Sequence, residues 1–381
     1  MHKKIVISLS ADIEGLKQNK LFDLTVAKKY PGSEWAYEFK RLVNPSIDVV
    51  TADIALKHVQ AGRYKPSDIF VIQHGFDQES MDLIGKGGIP FLLYMYESPL
   101  YAGIFYDHVK EFSKIFNRVM VFGVQNSSNS VPIKFPSFSK EKLKHRDSIP
   151  QLEFDRRKFS SMVVSNKFVL TGSIFSSESL ADFVWRVLKK VKNYHSKFYL
   201  AKTINLDKIQ LQTKRLDILI SLGKRGLIDL FGRGWKGMYR LPLKYQKLFK
   251  QNFNPAEIKT IGDKYEYLSR YKFNICYENV VYPDYITEKI FDALVAGTVP
   301  VYWGSENICN YIPRGAYIDA GKFSSADHLV NYLVNLSKDE WVRMIQVGQE
   351  FLRSFNGEEF SYENIASNIH NYFSEFLRSK G

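Results

Sequence analysis

The sequence predicts an α/β protein of two parallel-sheet units, and three observations carry that prediction. Apolar runs of strand length alternate with helical patterns along most of the chain. A length of 381 residues suits two domains of ordinary size. Between 131 and 158 the periodicity lapses into Pro, Ser, Lys and Arg, and Pro132, Pro136 and Pro150 mark a linker.

In the first part, residues 4–9, 68–73, 90–96 and 118–122 read as buried strands with helical segments between them, one Rossmann-like unit. The second unit starts near Ser160, with strands expected at 161–165, 228–231, 273–277 and 299–303. Its helices are expected at 179–192, 206–222, 287–296 and 338–354. The final segment, 362–377, sets Ile365, Ile369, Tyr372, Phe373, Phe376 and Leu377 on one helical face. That stripe reads as core packed across the two domains; its polar face is not lysine-rich, which argues against a membrane-lying helix. The expected division is 1–150, 151–357 and a C-terminal helix at 358–381.

With 45% apolar and 24% charged residues, the composition is globular, excluding disorder, collagen and coiled coil. No stretch reaches the length of uncharged apolar residues that a spanning helix needs, and the N-terminal apolar core is too short for a secretory signal. A soluble, unprocessed, cytoplasmic chain is therefore expected. The two cysteines, Cys276 and Cys309, build no disulfide framework and lack zinc-site spacing, which fits a reducing compartment.

The net charge of +13 is concentrated in one region. Residues 186–250 hold seventeen Lys/Arg against three acids, leaving the rest near neutrality. Such a block attracts phosphate: a nucleotide diphosphate, or the headgroups of an anionic membrane or lipopolysaccharide, which would bring the chain to the inner face of the cytoplasmic membrane. A solvated surface with no ligand remains the plain alternative. Nucleic acid is not expected as a partner, because no nucleic-acid-binding motif accompanies the charge.

The most informative stretch is 271–305, Tyr-Lys-Phe-Asn-Ile-Cys-Tyr-Glu-Asn, then Asp-Tyr-Ile-Thr-Glu-Lys, then Ala-Leu-Val-Ala-Gly-Thr-Val-Pro-Val. It reads as strand, polar loop, helix and strand, with Asp284 or Thr287 as helix cap and Gly297 as the permissive residue after the helix. A polar loop at a strand's carboxyl end, opening onto a helix N-terminus, is where α/β sheets bind anions. Glu278, Asn279, Tyr285, Glu288 and Lys289 converge there. A first-turn lysine opposes the helix dipole, which suits a ligand anion; a surface Glu–Lys pair is the plain alternative.

This run closely resembles the donor-binding signature of the α1,3/α1,4-fucosyltransferases, glycosyltransferase family 10, over about 229–336; the first half of the chain matches only in short pieces. The resemblance implies a GT-B fold, two Rossmann-like domains facing a cleft, with 1–150 binding the acceptor and 151–357 the GDP-sugar. It implies an inverting transfer of L-fucose from GDP-fucose to a glycan hydroxyl, such as that of a surface polysaccharide or lipopolysaccharide O-antigen. By position in the motif, Asn279, Tyr285, Glu288 and Lys289 would contact the donor, with Glu278 and Thr287 beside them: Glu288 on sugar hydroxyls, Lys289 on the diphosphate. Arg215, seventeen residues before Gly232, fits the family arginine, with Arg233 and Lys236 as competing phosphate ligands. Glu97, in Tyr-Glu-Ser-Pro at the end of an apolar strand, resembles the family's proposed base.

On the residues alone, Glu97 reads as a helix cap or surface acid, and His74, at a strand end, is an alternative base or a structural histidine. Tyr94, Tyr96, Tyr101, Phe105 and Tyr106 would offer a sugar-stacking wall or, more simply, core. No Asp-x-Asp occurs anywhere in the chain, so no metal or other cofactor is expected, with fixed cations in the metal's place. A different nucleotide sugar on the same fold, and a non-catalytic glycan- or nucleic-acid-binding protein, are the competing functions.

Overall fold

Short parallel strands joined through helices produce two separate sheets, with residues 5–123, 129–144, 154–166, 204–236 and 241–380 described in this computed structural model. The first unit comprises Met1–Glu97, Ile104–Lys144 and Phe355–Gly381; the second comprises Ser98–Gly103 and His145–Ser354.

In the first unit the strands are β1 (Val6–Leu9), β2 (Asp48–Thr51), β3 (Ile69–His74), β4 (Ile89–Tyr94), β5 (Arg118–Val121) and β6 (Ser130–Pro132). They pair in the order β2-β1-β3-β4-β5-β6, all parallel. β1 is buried along its whole length and β3 along all but its last residue, as strands covered on both faces must be. The chain runs outward from β1 to β2 in one direction and from β3 to β6 in the other. The carboxyl ends of β1 and β3 therefore flank a topological switch point, where such sheets leave a crevice.

The C-terminal helix, Tyr362–Lys380, belongs to this unit. Of its apolar stripe, Ile365, Ile369 and Phe373 are buried. The Phe373 and Phe376 rings meet Phe70 of β3 edge-on at 5.2 and 6.0 Å, and Phe91 of β4 lies 5.4 Å from each. The Arg118 guanidinium sits 3.8 Å over the Tyr372 ring.

In the second unit the strands are β7 (Lys158–Val163), β8 (Ile228–Phe231), β9 (Tyr271–Tyr277), β10 (Val299–Trp303) and β11 (Ile318–Asp319), ordered β11-β10-β9-β7-β8 and all parallel. The chain leaves β7 toward β8 and β9 toward β10. Right-handed crossovers in opposite directions put the Gln212–Gly223 and Glu288–Ala296 helices on opposite faces. A second switch point thus lies between the carboxyl ends of β7 and β9.

Several expectations need correction. The helix expected at 206–222 is two, Leu206–Ile209 and Gln212–Gly223. Gln210 forms an antiparallel bridge to Val280, and the Leu211 amide donates to the Asn279 carbonyl at 3.0 Å, so the backbone between the helices pairs with the loop after β9. The linker expected at 131–158 begins inside a strand, since Val131 and Pro132 pair with β5; proline is tolerated there because β6 is an edge. The helices Leu243–Asn252 and Ala326–Asn335 were not anticipated. The helix expected at 179–192 and much of the basic block, including 186–203 and 237–240, lie outside the described residues. Among the described residues, no helix is long and apolar enough to cross a membrane.

Candidate functional site

At the switch point of the second sheet, β9 ends in Tyr277 and the chain continues through Glu278 and Asn279. The Glu278 side chain is completely buried. Its Oε1 accepts from the Thr287 amide at 2.8 Å and its Oε2 from Lys289 Nζ at 2.9 Å, with the Thr287 hydroxyl 2.9 Å from both oxygens. A carboxylate with this many donors is fully compensated, as a buried charge must be. Thr287 occupies the N-cap position of the Glu288–Ala296 helix, yet its hydroxyl serves Glu278 and does not cap the helix. The first-turn amides consequently have no side-chain cap. Asp284, the other expected cap, instead holds the loop: at φ 61° it accepts from Asn307 Nδ2 at 2.7 Å and the Tyr311 hydroxyl at 2.6 Å. Gly297 ends the helix at φ 65°, as expected of the residue following it.

Lys289 is mostly buried, and its ammonium also lies 3.9 Å from Glu288 Oε1. Burial opposes its charge, but Glu278 and Glu288 outweigh that cost and hold the ammonium above the ordinary lysine range. For Glu288, burial likewise opposes the charge, and Lys289 with Lys264 keeps the carboxyl below its usual value. One turn on, Asp292 pairs with Lys264 at 2.6 Å, and burial pushes its carboxyl up to about 6.

Arg215 enters from the first turn of the Gln212–Gly223 helix and is buried. Its Nη2 donates to the Tyr277 carbonyl at 2.7 Å and to Asn279 Oδ1 at 2.9 Å, and Nε reaches the same carbonyl at 3.2 Å. Asn279 Nδ2 in turn donates to the Tyr285 hydroxyl at 2.9 Å. Burial lowers the pKa of the guanidinium, but Arg215 remains a cation under ordinary conditions. Arg215, Asn279, Tyr285, Glu278, Thr287, Glu288 and Lys289 are thus brought together by the end of one strand and the starts of two helices.

The wall beside Arg215 depends on glycine. Gly232, at φ 135°, follows β8, and a Cβ there would stand 2.0 Å from the Val164 carbonyl oxygen after β7. Trp235 Nε1 donates to that same carbonyl at 2.9 Å, and the Asn166 amide donates to the Arg233 carbonyl at 2.8 Å. Arg233 and Lys236 are both exposed, whereas Arg215 is built into the network. A cavity of about 350 Å³ is lined by Lys214, Asp217, Tyr277, Trp303 and Phe323.

The remaining expected residues lie in the first unit, apart from Tyr101. Glu97 is exposed, three residues past β4, in a bend whose carbonyl accepts from the Tyr106 hydroxyl at 2.9 Å. His74 ends β3, its Nδ1 3.5 Å from Asp12 Oδ2 and its ring 5.0 and 6.0 Å from the Tyr94 and Tyr96 rings. Tyr94, Tyr101, Phe105 and Tyr106 are buried, so they serve as core; the exposed ring near this strand end is Phe76. Sequence reasoning missed Asp12 and Asn307, because their partners are distant in the chain and no local spacing reveals them. Among the described residues, no three His, Cys, Asp or Glu side chains gather as a metal-holding group, and both cysteines are free thiols.

Two all-parallel sheets, each in its own unit, are the arrangement of the GT-B fold. A crystal structure of an α1,3-fucosyltransferase with GDP shares this fold at a TM-score of 0.53 and 15% identity, covering 99% of this chain and 92% of that one. Residues 202–344 match the family model described as glycosyltransferase family 10 (fucosyltransferase) C-term. The Helicobacter pylori alpha-(1,3)-fucosyltransferase FucT is 30% identical over 106 residues, 28% of this chain and 22% of that protein. The Arabidopsis thaliana alpha-(1,4)-fucosyltransferase is 38% identical over 84 residues, 22% of this chain and 21% of that protein. The matched region thus spans about a fifth of these relatives.

Proposed function

We propose that this chain is an inverting, GDP-fucose-dependent fucosyltransferase acting on a glycan hydroxyl, of the α1,3/α1,4 type, with a surface polysaccharide or lipopolysaccharide O-antigen as the acceptor class. One observation carries the reading. Inside the family segment, Arg215, Asn279, Tyr285, Glu288 and Lys289 meet at the sheet's switch point, where a nucleotide diphosphate finds cations, uncapped helix amides and a carboxylate for hydroxyl groups.

The side chains of the site sum to near neutrality, with Arg215 and Lys289 facing Glu278 and Glu288. A diphosphate arriving there shares Lys289 with Glu278 and draws on Arg215 and the helix amides. Those same groups stabilise the charge that grows on the β-phosphate as GDP leaves the anomeric carbon. Glu288, held ionised, accepts hydrogen bonds from hydroxyls of the donor. Glu97 takes the proton of the acceptor hydroxyl as the new glycosidic bond forms. Transfer assays with GDP-fucose and other nucleotide sugars, against β-galactoside and N-acetylglucosamine acceptors, test the assignment. Product from a uridine nucleotide sugar alone would overturn it.

GDP and GDP-fucose are expected to raise the thermal midpoint, because the switch-point site exists only in the folded chain. At a hundredfold excess over Kd the gain is about 2.7 kcal/mol. A shift with UDP and none with GDP contradicts the donor assignment. Transfer is also expected to persist in excess chelator, since Arg215, Lys289 and the helix amides supply the positive field. Complete loss of transfer in chelator, restored by manganese or magnesium, refutes that expectation.

A further inference from the structure

The crevice at the switch point of the first sheet holds charged groups that the proposed reaction has not used. Asp12 follows β1 and His74 ends β3, so the two flank the point where the strand order reverses. Their backbones are tied together there: the Ser10 amide donates to the Ile72 carbonyl at 3.0 Å, and the His74 amide donates to Ser10 Oγ at 2.8 Å. On one side of the imidazole, Nδ1 faces Asp12 Oδ2 at 3.5 Å; on the other, the Tyr96 amide points at Nε2, also at 3.5 Å. Tyr96 immediately precedes Glu97. The ring clusters with those of Tyr94 and Tyr96, and its side chain is only 19% exposed.

We infer that the Asp12–His74 pair is a positioning element for Glu97: neutral His74 directs its Nδ1 proton at Asp12 and offers Nε2 to the Tyr96 amide, fixing the chain from which Glu97 projects. The role rests on Glu97 being the base. Protonation of His74 places a hydrogen on Nε2, which then cannot accept from Tyr96, and the tie to the chain just before Glu97 is lost. The neutral ring is therefore the competent form.

The charged groups facing the ring come from three strand ends. Asp12 follows β1, Asp77 follows β3 and Glu97 follows β4, with the Tyr94 and Tyr96 hydroxyls alongside; Glu79, near Asp77, is itself paired with Lys17. Burial opposes the imidazolium, but Asp12, Glu97 and Asp77 outweigh it and raise His74 above its ordinary value. A raised value means the inhibitory proton leaves only as the pH climbs past the usual imidazole range. Activity then rises with pH in that window.

The test is the pH profile of kcat for the full chain and two variants. His74→Gln keeps an acceptor oxygen for the Tyr96 amide but cannot titrate; His74→Phe fills the space and has no acceptor. In the wild type, kcat is expected to fall on the acid side of the His74 ionisation and to level off on the order of tenfold below its alkaline value. His74→Gln retains most of the alkaline kcat and lacks this limb. His74→Phe stays on the order of tenfold below the alkaline wild-type kcat at every pH; GDP affinity is unchanged in both variants, and thermal unfolding like that of the wild type reports that the first unit folds. Superimposable wild-type and His74→Gln profiles, a limb of opposite sign, or a wild-type kcat in His74→Phe each overturn the inference. Glu97→Gln separates the two readings: full activity there removes Glu97 as base, whereas an inactive Glu97→Gln beside an unaltered His74→Gln profile removes only the role of His74.

Discussion

Glu97→Gln is expected to lower turnover by roughly 10²–10⁴ while leaving GDP affinity near that of the wild type. The amide keeps the size of the side chain and loses only the ability to take a proton. Glu97 is exposed, and the bend around it is held by its backbone carbonyl through Tyr106, so the substitution does not disturb the local fold. The residues assigned to GDP belong to the other unit, which is why binding and chemistry separate. A capping or surface role predicts some thermal destabilisation and an unchanged rate. Steady-state transfer combined with GDP titration decides between them, and a wild-type rate sends the search for the base to His74 and the other acids of the first unit.

Arg215→Ala and Lys289→Ala are both expected to weaken GDP, but they differ in what else they do. On the proposed assignment each would remove a charge-assisted hydrogen bond to the diphosphate, on the order of 1.5–3 kcal/mol, or roughly ten- to a hundredfold in affinity. Lys289→Ala also strands Glu278, a carboxylate with no exposure, and breaking such a buried pair costs about 3–5 kcal/mol of stability. Arg215→Ala leaves no charge unpaired; it frees the Tyr277 carbonyl and one side of Asn279. Calorimetric GDP titration with thermal unfolding should therefore show one variant losing mainly affinity and the other losing both. If Arg215→Ala binds GDP normally while Arg233→Ala does not, Arg215 has been assigned wrongly.

The strands that the sequence does not reveal are all sheet edges. β2 is four residues long and starts with Asp48, β6 ends in Pro132, and β11 has two residues, so none presents the long apolar run that a strand buried on both sides requires. The central strands do present it, and β8 and β10 fall where their apolar runs place them. The donor motif is equally visible as a motif, but its internal chemistry is not. Whether Glu278 and Lys289 form a solvated pair or a buried one depends on how closely the end of β9 approaches the start of the next helix. The ten residues between Tyr277 and Glu288 do not encode that distance locally. The same holds for Asp12 and His74, joined only when β1 and β3 lie side by side, and for the break at Gln210, which is imposed by Val280 across the fold.

The first unit is assembled from segments that lie on both sides of the second unit in the chain. During synthesis β1 to β6 leave the ribosome early, but the Tyr362–Lys380 helix, which covers Phe70 and Phe91, emerges only after the whole of the second unit. Until then one face of that sheet carries uncovered aromatic surface, the kind that draws chaperones or aggregates. The unit translated first is therefore the one whose folding finishes last, and a nascent chain stalled before residue 355 would carry a second unit able to close and a first unit that is not.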